Sequence, residues 1–169
     1  MQESCMQTAN TVPEYRLDRI DRQILDLLQK RGRATNVELS AQVHLSAPQC
    51  LRRVRQLEEA GVIRHYAALL DPQALGYGVV AFVSLSVDRE QSTRERELER
   101  QIRSFPEIVE CYTISGDFDY LLKVVARDLK ELSSFLTDRL LHVSGVAGVR
   151  STICMEEIKP LAPLPATER

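Results

Sequence analysis

The 169-residue sequence lacks the features that mark membrane proteins, secreted proteins and zinc ribbons. No apolar run approaches the roughly 20 residues of a membrane-spanning helix, and the N-terminal stretch shows no basic-then-apolar signal pattern. The four cysteines are far apart and form no C-x-x-C pair. That distribution argues against a disulfide framework and suits a reducing cytoplasm. We therefore expect a cytoplasmic protein that has no membrane partner.

Histidine and cysteine, which often bind transition metals, are few. His44, His65 and His142 show no metal-ligand spacing among themselves, so we expect no metal site and no cofactor. Three of the cysteines lie in apolar segments and are interpreted as small hydrophobic residues. They are Cys50, Cys111 and Cys154.

The chain as a whole also lacks the basic excess that is typical of nucleic-acid-binding proteins, because its net charge is −2. The two halves differ in charge, however. Residues 1–70 carry ten Lys and Arg against eight Asp and Glu, a net charge of +2. Residues 71–169 carry twelve against sixteen, a net charge of −4. A nucleic-acid partner is therefore compatible with the N-terminal half.

Three short helices are predicted in this half from capping signals and apolar spacing. The first follows Asp18, a favourable N-cap, and has apolar residues at i, i+4, i+7 and i+8 from Ile20. The second begins with the T-x-x-E capping box of Thr35, and the third with the S-x-x-Q box of Ser46. Only the stretch HLS separates the last two helices, which predicts a helix-turn-helix.

The third helix is predicted to carry polar side chains on an outer face. Gln49, Arg52, Arg53 and Gln56 follow at i, i+3, i+4 and i+7, with Arg55 beside them. Gln and Arg can hydrogen-bond adenine and guanine edges in the major groove, and Arg also pairs with phosphate. The alternative is a solvated face of mixed charge, but the two acids of this helix come only after these residues. The pattern therefore favours a DNA-recognition helix.

The C-terminal half predicts the order βαββαβ. Strands are predicted for VVAFVSLSV, EIVECYTIS, DYLLKVVA and VAGVRSTICMEEI, and helices for TRERELERQIRSF and DLKELSSFLTDRLLHVSG. Alternation in the second strand places Ile108, Glu110 and Tyr112 on one face, and Leu129 begins the apolar stripe of the second helix. The order indicates a ferredoxin-like fold, a four-stranded antiparallel sheet with both helices on one side. Its open face is broadly apolar or neutral, which favours pairing with another chain.

The stretch SGDFDY joins the second and third strands and brings two carboxylates close together. Asp117 and Asp119 have no nucleophile, histidine or third ligand in this motif, which argues against catalysis and against metal binding. Two interpretations stay open. The stretch either forms only a hairpin turn, or it binds a free amino acid. In the second case main-chain N–H groups around Gly116 would hold the carboxylate, and one aspartate would accept the ammonium group.

From about Leu17 to Lys159, the chain resembles the Lrp/AsnC transcriptional regulators, also called feast/famine regulators. The resemblance rests on the D-x-x-D-x-x-I-L opening, TNVELSAQV, L-x-R-V-x-x-L-E-x-x-G-V-I, SGDFDYLLK and MEEIK. His44 is a departure, since relatives often have glycine in this turn, but histidine can adopt that backbone at modest strain. The resemblance implies an α+β fold, with an N-terminal (winged) helix-turn-helix domain before a ferredoxin-like βαββαβ domain.

The expected organisation has five parts. Residues 1–16 form a disordered tail, 17–64 the helix-turn-helix DNA-binding domain and 65–78 a linker. The ferredoxin-like effector-binding and oligomerisation domain spans 79–157, and a tail spans 158–169. The candidate DNA-contacting residues are Asn36, Ser46, Gln49, Arg52, Arg53, Arg55 and Gln56. By the resemblance, an effector site between subunits has the candidate residues Ser115, Gly116, Asp117, Phe118, Asp119, Tyr120, Leu129, Thr152, Ile153 and Cys154.

The resemblance implies a bacterial-type, nucleoid-associated regulator rather than an enzyme. Its expected partners are double-stranded DNA with pseudo-palindromic sites, further copies of itself in dimers, tetramers or octamers, and a small amino-acid ligand. The apolar candidate residues favour leucine or methionine as that effector. Two alternatives stay open: a nucleoid-like architectural protein that wraps DNA, and a tetrapyrrole decarboxylase of similar architecture. The arginine-bearing third helix argues against the decarboxylase.

Overall fold

The computed structural model describes residues 15–88 and 95–166, which form two compact units. The first unit contains the described residues up to Ala68 together with those from Lys159 onward, and the second spans Leu69–Ile158. The division after Ala68 falls within the segment 65–78 that the sequence predicts as a linker. The predicted N-terminal tail lies outside the described residues except for its last two positions.

Three helices build the first unit: α1 (Arg19–Lys30), α2 (Asn36–Val43) and α3 (Ala47–Glu59). The predicted capping of the first two is confirmed. The Asp21 amide donates to Asp18 Oδ1 at 2.8 Å, and the Glu38 amide donates to Thr35 Oγ1 at 3.2 Å. His44 ends α2 in the left-handed conformation, with φ 55° and ψ 42°.

The apolar stripes of the three helices meet in one core. Its fully buried members include Ile24 from α1, Leu39 from α2, and Cys50 and Leu57 from α3. Burial of an Ile or Leu side chain stabilises the folded state by roughly 1.5–3 kcal/mol. Cys50 therefore has the predicted role of a small hydrophobic residue, and burial raises the pKa of its thiol.

The second unit consists of two helices and a sheet. Its elements are β1 (Val79–Val87), α4 (Glu95–Ser104), β2 (Ile108–Thr113), β3 (Tyr120–Ala126), α5 (Leu129–Ser134) and β4 (Val146–Ile153). After α5 the chain continues through a π-helical segment, Phe135–Arg139, and a 3₁₀ turn, Leu140–His142. The strands are antiparallel in the order β2-β3-β1-β4, which confirms the predicted ferredoxin-like arrangement.

The helices pack on one face of this sheet. The buried cluster includes Val83 and Leu122 of the two central strands, Ile102 of α4 and Phe135. The opposite face, called the open face below, carries Phe82 and other side chains that stay in contact with solvent. Phe82 is 41% exposed although its strand is central.

Two predictions about strands are wrong. The register of β2 shifts between Ile108 and Glu110, so Ile108 packs against the core while Glu110 pairs with Lys123 on the open face. The extra residue of this bulge reverses the alternation that the sequence suggests. The fourth strand ends at Ile153, because pairing with β1 does not extend to the predicted end at residue 158.

Three side chains are less buried than the sequence predicts. Leu129 lies in the first turn of α5 and is 57% exposed, so it does not belong to the buried stripe. Cys111 is exposed on the edge strand β2, where only one neighbouring strand is present, and Cys154 is half-buried.

Candidate DNA-binding and effector sites

The outer face of α3 presents four of the candidate DNA-contacting residues to solvent. Gln49, Arg52, Arg55 and Gln56 are all exposed, whereas the side of α3 that carries Val54 packs into the core. Two cationic and two amide side chains therefore share one accessible surface. Such a surface can pair with phosphates and with base edges.

The other two candidates lie at helix starts. Asn36 is the first residue of α2 and is half-buried. Ser46 precedes α3, where both its main-chain N–H (3.2 Å) and its hydroxyl (2.9 Å) donate to Gln49 Oε1. The amide oxygen of Gln49 thus holds the start of the helix, and these bonds do not involve the Nε2 group that could donate to a base.

Arg53 faces away from this surface. Its Nη1 atom lies 2.7 Å from Asp18 Oδ2 and 2.8 Å from Asp21 Oδ1, at the start of α1. Asp21 is only 2% exposed, so this ion pair is largely shielded from water. The hydrogen bond to Asp21 outweighs the opposing effect of burial and raises the pKa of Arg53. Arg53 therefore connects α3 to α1, a role that the spacing along α3 did not indicate.

Asp18 belongs to the same cluster. Burial would raise the pKa of its carboxyl group, but hydrogen bonds from the Asp21 amide and from Arg53 outweigh burial and lower it. Asp21 also accepts a hydrogen bond from the Asp18 amide at 3.1 Å. The sequence showed the D-x-x-D pattern that supplies these carboxylates, but not the arginine on another helix that they bind.

The loop that carries SGDFDY connects β2 to β3 at one end of the sheet. Ser115, Gly116 and Asp117 are exposed, and Gly116 has φ 130°, a conformation that L-residues rarely adopt. The Ile114 amide closes the loop by donating to the Asp119 carbonyl at 3.0 Å. The predicted turn is therefore present, and its tip is accessible to a ligand.

Asp119 stabilises the sheet in a way that the sequence did not reveal. Its Oδ2 atom accepts a hydrogen bond from the Val87 amide at 2.8 Å, and its amide donates to the Leu85 carbonyl at 3.0 Å. The register of β1 and β4 shifts between Ser86 and Val87. The carboxylate therefore satisfies a main-chain donor at an irregular point of the sheet.

The candidate effector residues lie at two opposite ends of the sheet. Asp119 and Tyr120 stand where β3 begins, whereas Leu129 follows the end of β3. Thr152 to Cys154 lie beside the start of β1, which pairs with the end of β3. The seven residues of β3 separate these ends by about 20 Å. One chain therefore does not bring the two sets of candidates to a single small ligand.

Arg150 lies beside the loop and was not among the predicted residues. Its guanidinium carbon is 5.0 Å from the ring centroid of Phe118, a cation–π distance. In the described part of the chain, Arg150 forms neither a hydrogen bond nor an ion pair. Its only sequence signal was a single cationic residue in a strand of small and apolar residues. The loop thus combines carboxylates with a nearby cation.

The open face carries aromatic, aliphatic and paired polar side chains. Tyr112 is 55% exposed, and its hydroxyl donates to Glu110 Oε2 at 2.7 Å. Glu110 also pairs with Lys123 at 3.2 Å. The Tyr112 hydrogen bond is the largest influence on the Glu110 carboxyl group and lowers its pKa, despite partial burial. Because these polar groups already bond to one another, the face suits contact with another apolar surface.

Two further features bear on the class of protein. Within residues 15–88 and 95–166, no helix has the length and apolar composition needed to cross a membrane. The same residues contain no group of three or more His, Cys, Asp and Glu side chains arranged to hold a metal ion.

Two family models match separate parts of the chain. A model of winged helix-turn-helix DNA-binding domains matches residues 17–64, and a model of the Lrp/AsnC ligand binding domain matches residues 80–164. The Leucine-responsive regulatory protein of Escherichia coli (strain K12) is 44% identical over 147 residues, which cover 87% of this chain and 90% of that protein.

Solved structures give the same result. A transcriptional regulator of Neisseria meningitidis in complex with L-Met is 41% identical, with 89% of this chain and 97% of that chain covered and a TM-score of 0.83. An AsnC family transcriptional regulator of Agrobacterium tumefaciens is 38% identical, with 88% of this chain and 97% of that chain covered and a TM-score of 0.82. The present chain therefore belongs to the Lrp/AsnC family of DNA-binding transcriptional regulators, and its C-terminal half is the ligand-binding domain of that family.

Proposed function

We propose that this protein is a sequence-specific transcriptional regulator whose DNA binding responds to a small amino acid. The observation that carries the DNA-binding part is the exposed surface of Gln49, Arg52, Arg55 and Gln56 on the third helix of a helix-turn-helix. In a dimer, two such helices would meet successive major grooves, so the operator half-sites should be pseudo-palindromic. Arg53 supports this surface by holding α3 against the start of α1 through Asp18 and Asp21.

Loss of an arginine from α3 tests this assignment. We expect Arg52→Ala to weaken binding to a cognate promoter fragment by about 1–3 kcal/mol, because a bidentate base contact or a phosphate contact is lost. Lys130→Ala removes the same charge from an exposed site of the other unit and serves as the control. The assay is a fluorescence titration at several salt concentrations. Equal affinity of Arg52→Ala and the parent protein at every salt concentration would refute the assignment.

Self-association through the open face completes the proposal. Phe82 is 41% exposed on a central strand, where a glutamate would place a charge in the middle of any pairing surface. We expect Phe82→Glu to yield smaller species by light scattering. Val37→Glu, which replaces an exposed apolar residue of the other unit, should leave the assembly unchanged. Dimers, tetramers and octamers would each be distinguished by their mass.

The effector site is proposed to require more than one chain. This follows from the separation of the SGDFDY loop from Leu129 and Thr152–Cys154 at opposite ends of the sheet. A second subunit could bring one set beside the other. An α-amino acid fits the loop, because Asp117 and Asp119 can accept an ammonium group and Arg150 can bind a carboxylate. The L-Met complex of the Neisseria relative and the apolar candidates support methionine or leucine.

A thermal-shift screen of the twenty amino acids identifies the effector. At a concentration of about 100 times Kd, a ligand of the folded state adds about 2.7 kcal/mol of stability. Asp119→Asn is the informative variant, because its amide oxygen can still accept the Val87 hydrogen bond while the charge is lost. Asp119→Ala removes both the negative charge and the acceptor for the Val87 amide. An unchanged response in Asp119→Asn would exclude Asp119 as the ammonium ligand.

Two other functions can be separated by experiment. An architectural protein would protect extended, regularly phased DNA in footprinting, whereas a local regulator would protect a short operator. A tetrapyrrole decarboxylase would turn over its substrate without retarding DNA; the relatives named above are regulators, which disfavours it. Residence in the cytoplasm, in association with the nucleoid, belongs to the same proposal.

A further inference from the structure

The segment after β4 returns to the DNA-binding unit. β4 ends at Ile153 in the second unit, and the described residues from Lys159 onward belong to the first. Residues 154–166 form no regular helix or strand, yet Leu164 and Ala166 make specific hydrogen bonds with α1. The sequence indicated only a Pro-rich tail at this position.

One side-chain amide binds both main-chain groups of Leu164. Gln29 Nε2 donates to the Leu164 carbonyl at 3.0 Å, and the Leu164 amide donates to Gln29 Oε1 at 2.7 Å. A neighbouring β-strand offers a residue the same donor and acceptor pair. Two residues later, the Ala166 carbonyl accepts a hydrogen bond from Arg22 Nη1 at 3.3 Å. These contacts recognise an extended main chain rather than particular side chains.

The geometry gives the tail a direction. Arg22 and Gln29 are seven residues apart and therefore lie on the same side of α1, two helical turns apart. Leu164 meets the later of these residues and Ala166 the earlier one. The tail therefore runs antiparallel to α1.

Proline prepares the tail for this contact. Pro163 fixes its own φ, and Pro165 restricts the preceding residue, Leu164, to extended conformations. Neither proline has an N–H group, so Leu164 carries the single main-chain donor of the P-L-P stretch. The conformation that Gln29 binds is thus favoured before docking, which reduces the entropy lost on binding.

Apolar burial contributes little to the contact. The side chains of Leu161 and Leu164 are 77% and 75% exposed. The two Gln29 hydrogen bonds are exposed and the Arg22 hydrogen bond is only partly buried. Each therefore adds only modest net stability, so a tail held in this way exchanges readily between docked and released states.

We propose that residues 163–166 form a reversible strap that docks on the Arg22 and Gln29 side of α1 within the same chain. The inference rests on the proposed DNA-binding function. When the strap is docked, two chain segments, the linker and the tail, connect the DNA-binding unit to the sheet. Fewer orientations are then open to that unit before it meets DNA. Because α1 also holds α3 through Asp18, Asp21 and Arg53, the strap and the recognition helix are attached to the same helix.

The consequence is specific to DNA with two half-sites. Once one unit of a dimer is bound, a restricted second unit has a higher effective concentration at the second half-site. A released strap lowers that effective concentration but leaves the affinity for one half-site unchanged. The affinity for the intact operator therefore depends on whether the strap is docked, whereas the affinity for a half-site fragment does not.

Gln29→Met in the full-length protein tests the strap. Methionine has a similar length and helix propensity but cannot form the paired hydrogen bonds. Gln23→Met is the matched control, since Gln23 is also exposed on α1 and forms no hydrogen bond with the described residues. Hydrogen–deuterium exchange of the C-terminal peptide should become faster in Gln29→Met only. Affinity for the two-half-site operator should fall about tenfold in Gln29→Met, with the half-site fragment unaffected.

Each other result would overturn the proposal. Unchanged exchange of the C-terminal peptide in Gln29→Met means that the tail is not docked through Gln29. Faster exchange with unchanged operator affinity means that docking does not influence DNA binding. Protection that disappears on dilution to a monomer places the tail on another copy of the chain. If the parent protein binds no DNA, the proposed function fails, while the exchange experiment still decides whether the tail docks.

Discussion

Replacement of Arg53 by alanine separates a structural arginine from one that contacts DNA. In the parent protein the guanidinium bridges Asp18 and Asp21, at 2.7 and 2.8 Å. The side chain of Asp21 is 3% exposed, so Arg53→Ala leaves a buried carboxylate without its cation. We expect the first unit to lose stability, and DNA binding to suffer as a consequence of that loss.

The magnitude follows from the surroundings of this ion pair. Removal of one partner from a fully buried pair costs roughly 3–5 kcal/mol. Two features of this pair reduce that cost. The Arg53 side chain is 24% exposed, and Asp21 keeps the hydrogen bond from the Asp18 amide at 3.1 Å. We therefore expect the free energy of unfolding of the first unit to fall by about 2–3 kcal/mol.

Urea unfolding at a fixed protomer concentration measures this loss, because self-association makes stability depend on concentration. The midpoint of the first unit should move down by about 1–2 M urea. Hydrogen–deuterium exchange of the α1 and α3 amides gives an independent value for the loss of stability. In the Asp21→Asn background the same Arg53→Ala change should cost less, since no buried charge is then left unpaired.

Arg52→Ala is the matched control on the same helix. Arg52 is exposed, so its loss should change stability by less than about 0.5 kcal/mol while DNA affinity falls. The reasoning is refuted if Arg53→Ala unfolds within about 0.5 kcal/mol of the parent protein and loses DNA affinity as Arg52→Ala does. Arg53 would then be a DNA-contacting residue, as the sequence suggested.

Three further predictions follow from the local structure. Gly116→Ala should lower the stability of the sheet unit by about 1–3 kcal/mol, because φ is 130° there; an unchanged melting temperature contradicts this. Thr35→Ala removes the cap of α2 and should cost about 1 kcal/mol in urea unfolding, whereas Thr35→Ser should cost little. Burial and the hydrogen bond to Glu58 raise the pKa of Tyr66 to about 12. The protonated Tyr66 hydroxyl therefore makes its full contribution to folding stability below pH 10, and this contribution is lost as the pH rises through about 12. Glu58→Gln should lower that pKa in an ultraviolet titration, and an unchanged value would show that Glu58 does not raise it.

Local signals in the sequence were enough for most of the fold. The capping residues Asp18 and Thr35 act on amides three positions ahead, so the helix starts could be predicted without knowledge of the rest of the chain. The βαββαβ order followed from apolar periodicity in the same way. The bulge between Ile108 and Glu110 could not be predicted, because it depends on how β2 aligns with β3.

The candidate sites were only partly accessible from the sequence. The exposed set on α3 followed from helical spacing, and the SGDFDY turn from its glycine and aspartates. The hydrogen-bond partner of Asp119 could not be predicted from the sequence, since Val87 lies 32 residues away and meets Asp119 only when β1 and β3 pair. Arg150 was missed for the same reason, because its proximity to Phe118 arises from the folded sheet.

By itself, the sequence determined the two domain types, the family and the position of the third helix of the helix-turn-helix, since all three depend on residues close together in the chain. Only the tertiary structure decided which arginine of α3 holds the helices together, which aspartate of the loop stabilises the sheet and where the C-terminal tail binds. Each of these depends on a contact between residues that are distant in sequence. Such a contact is decided by packing and strand register, which no local spacing contains.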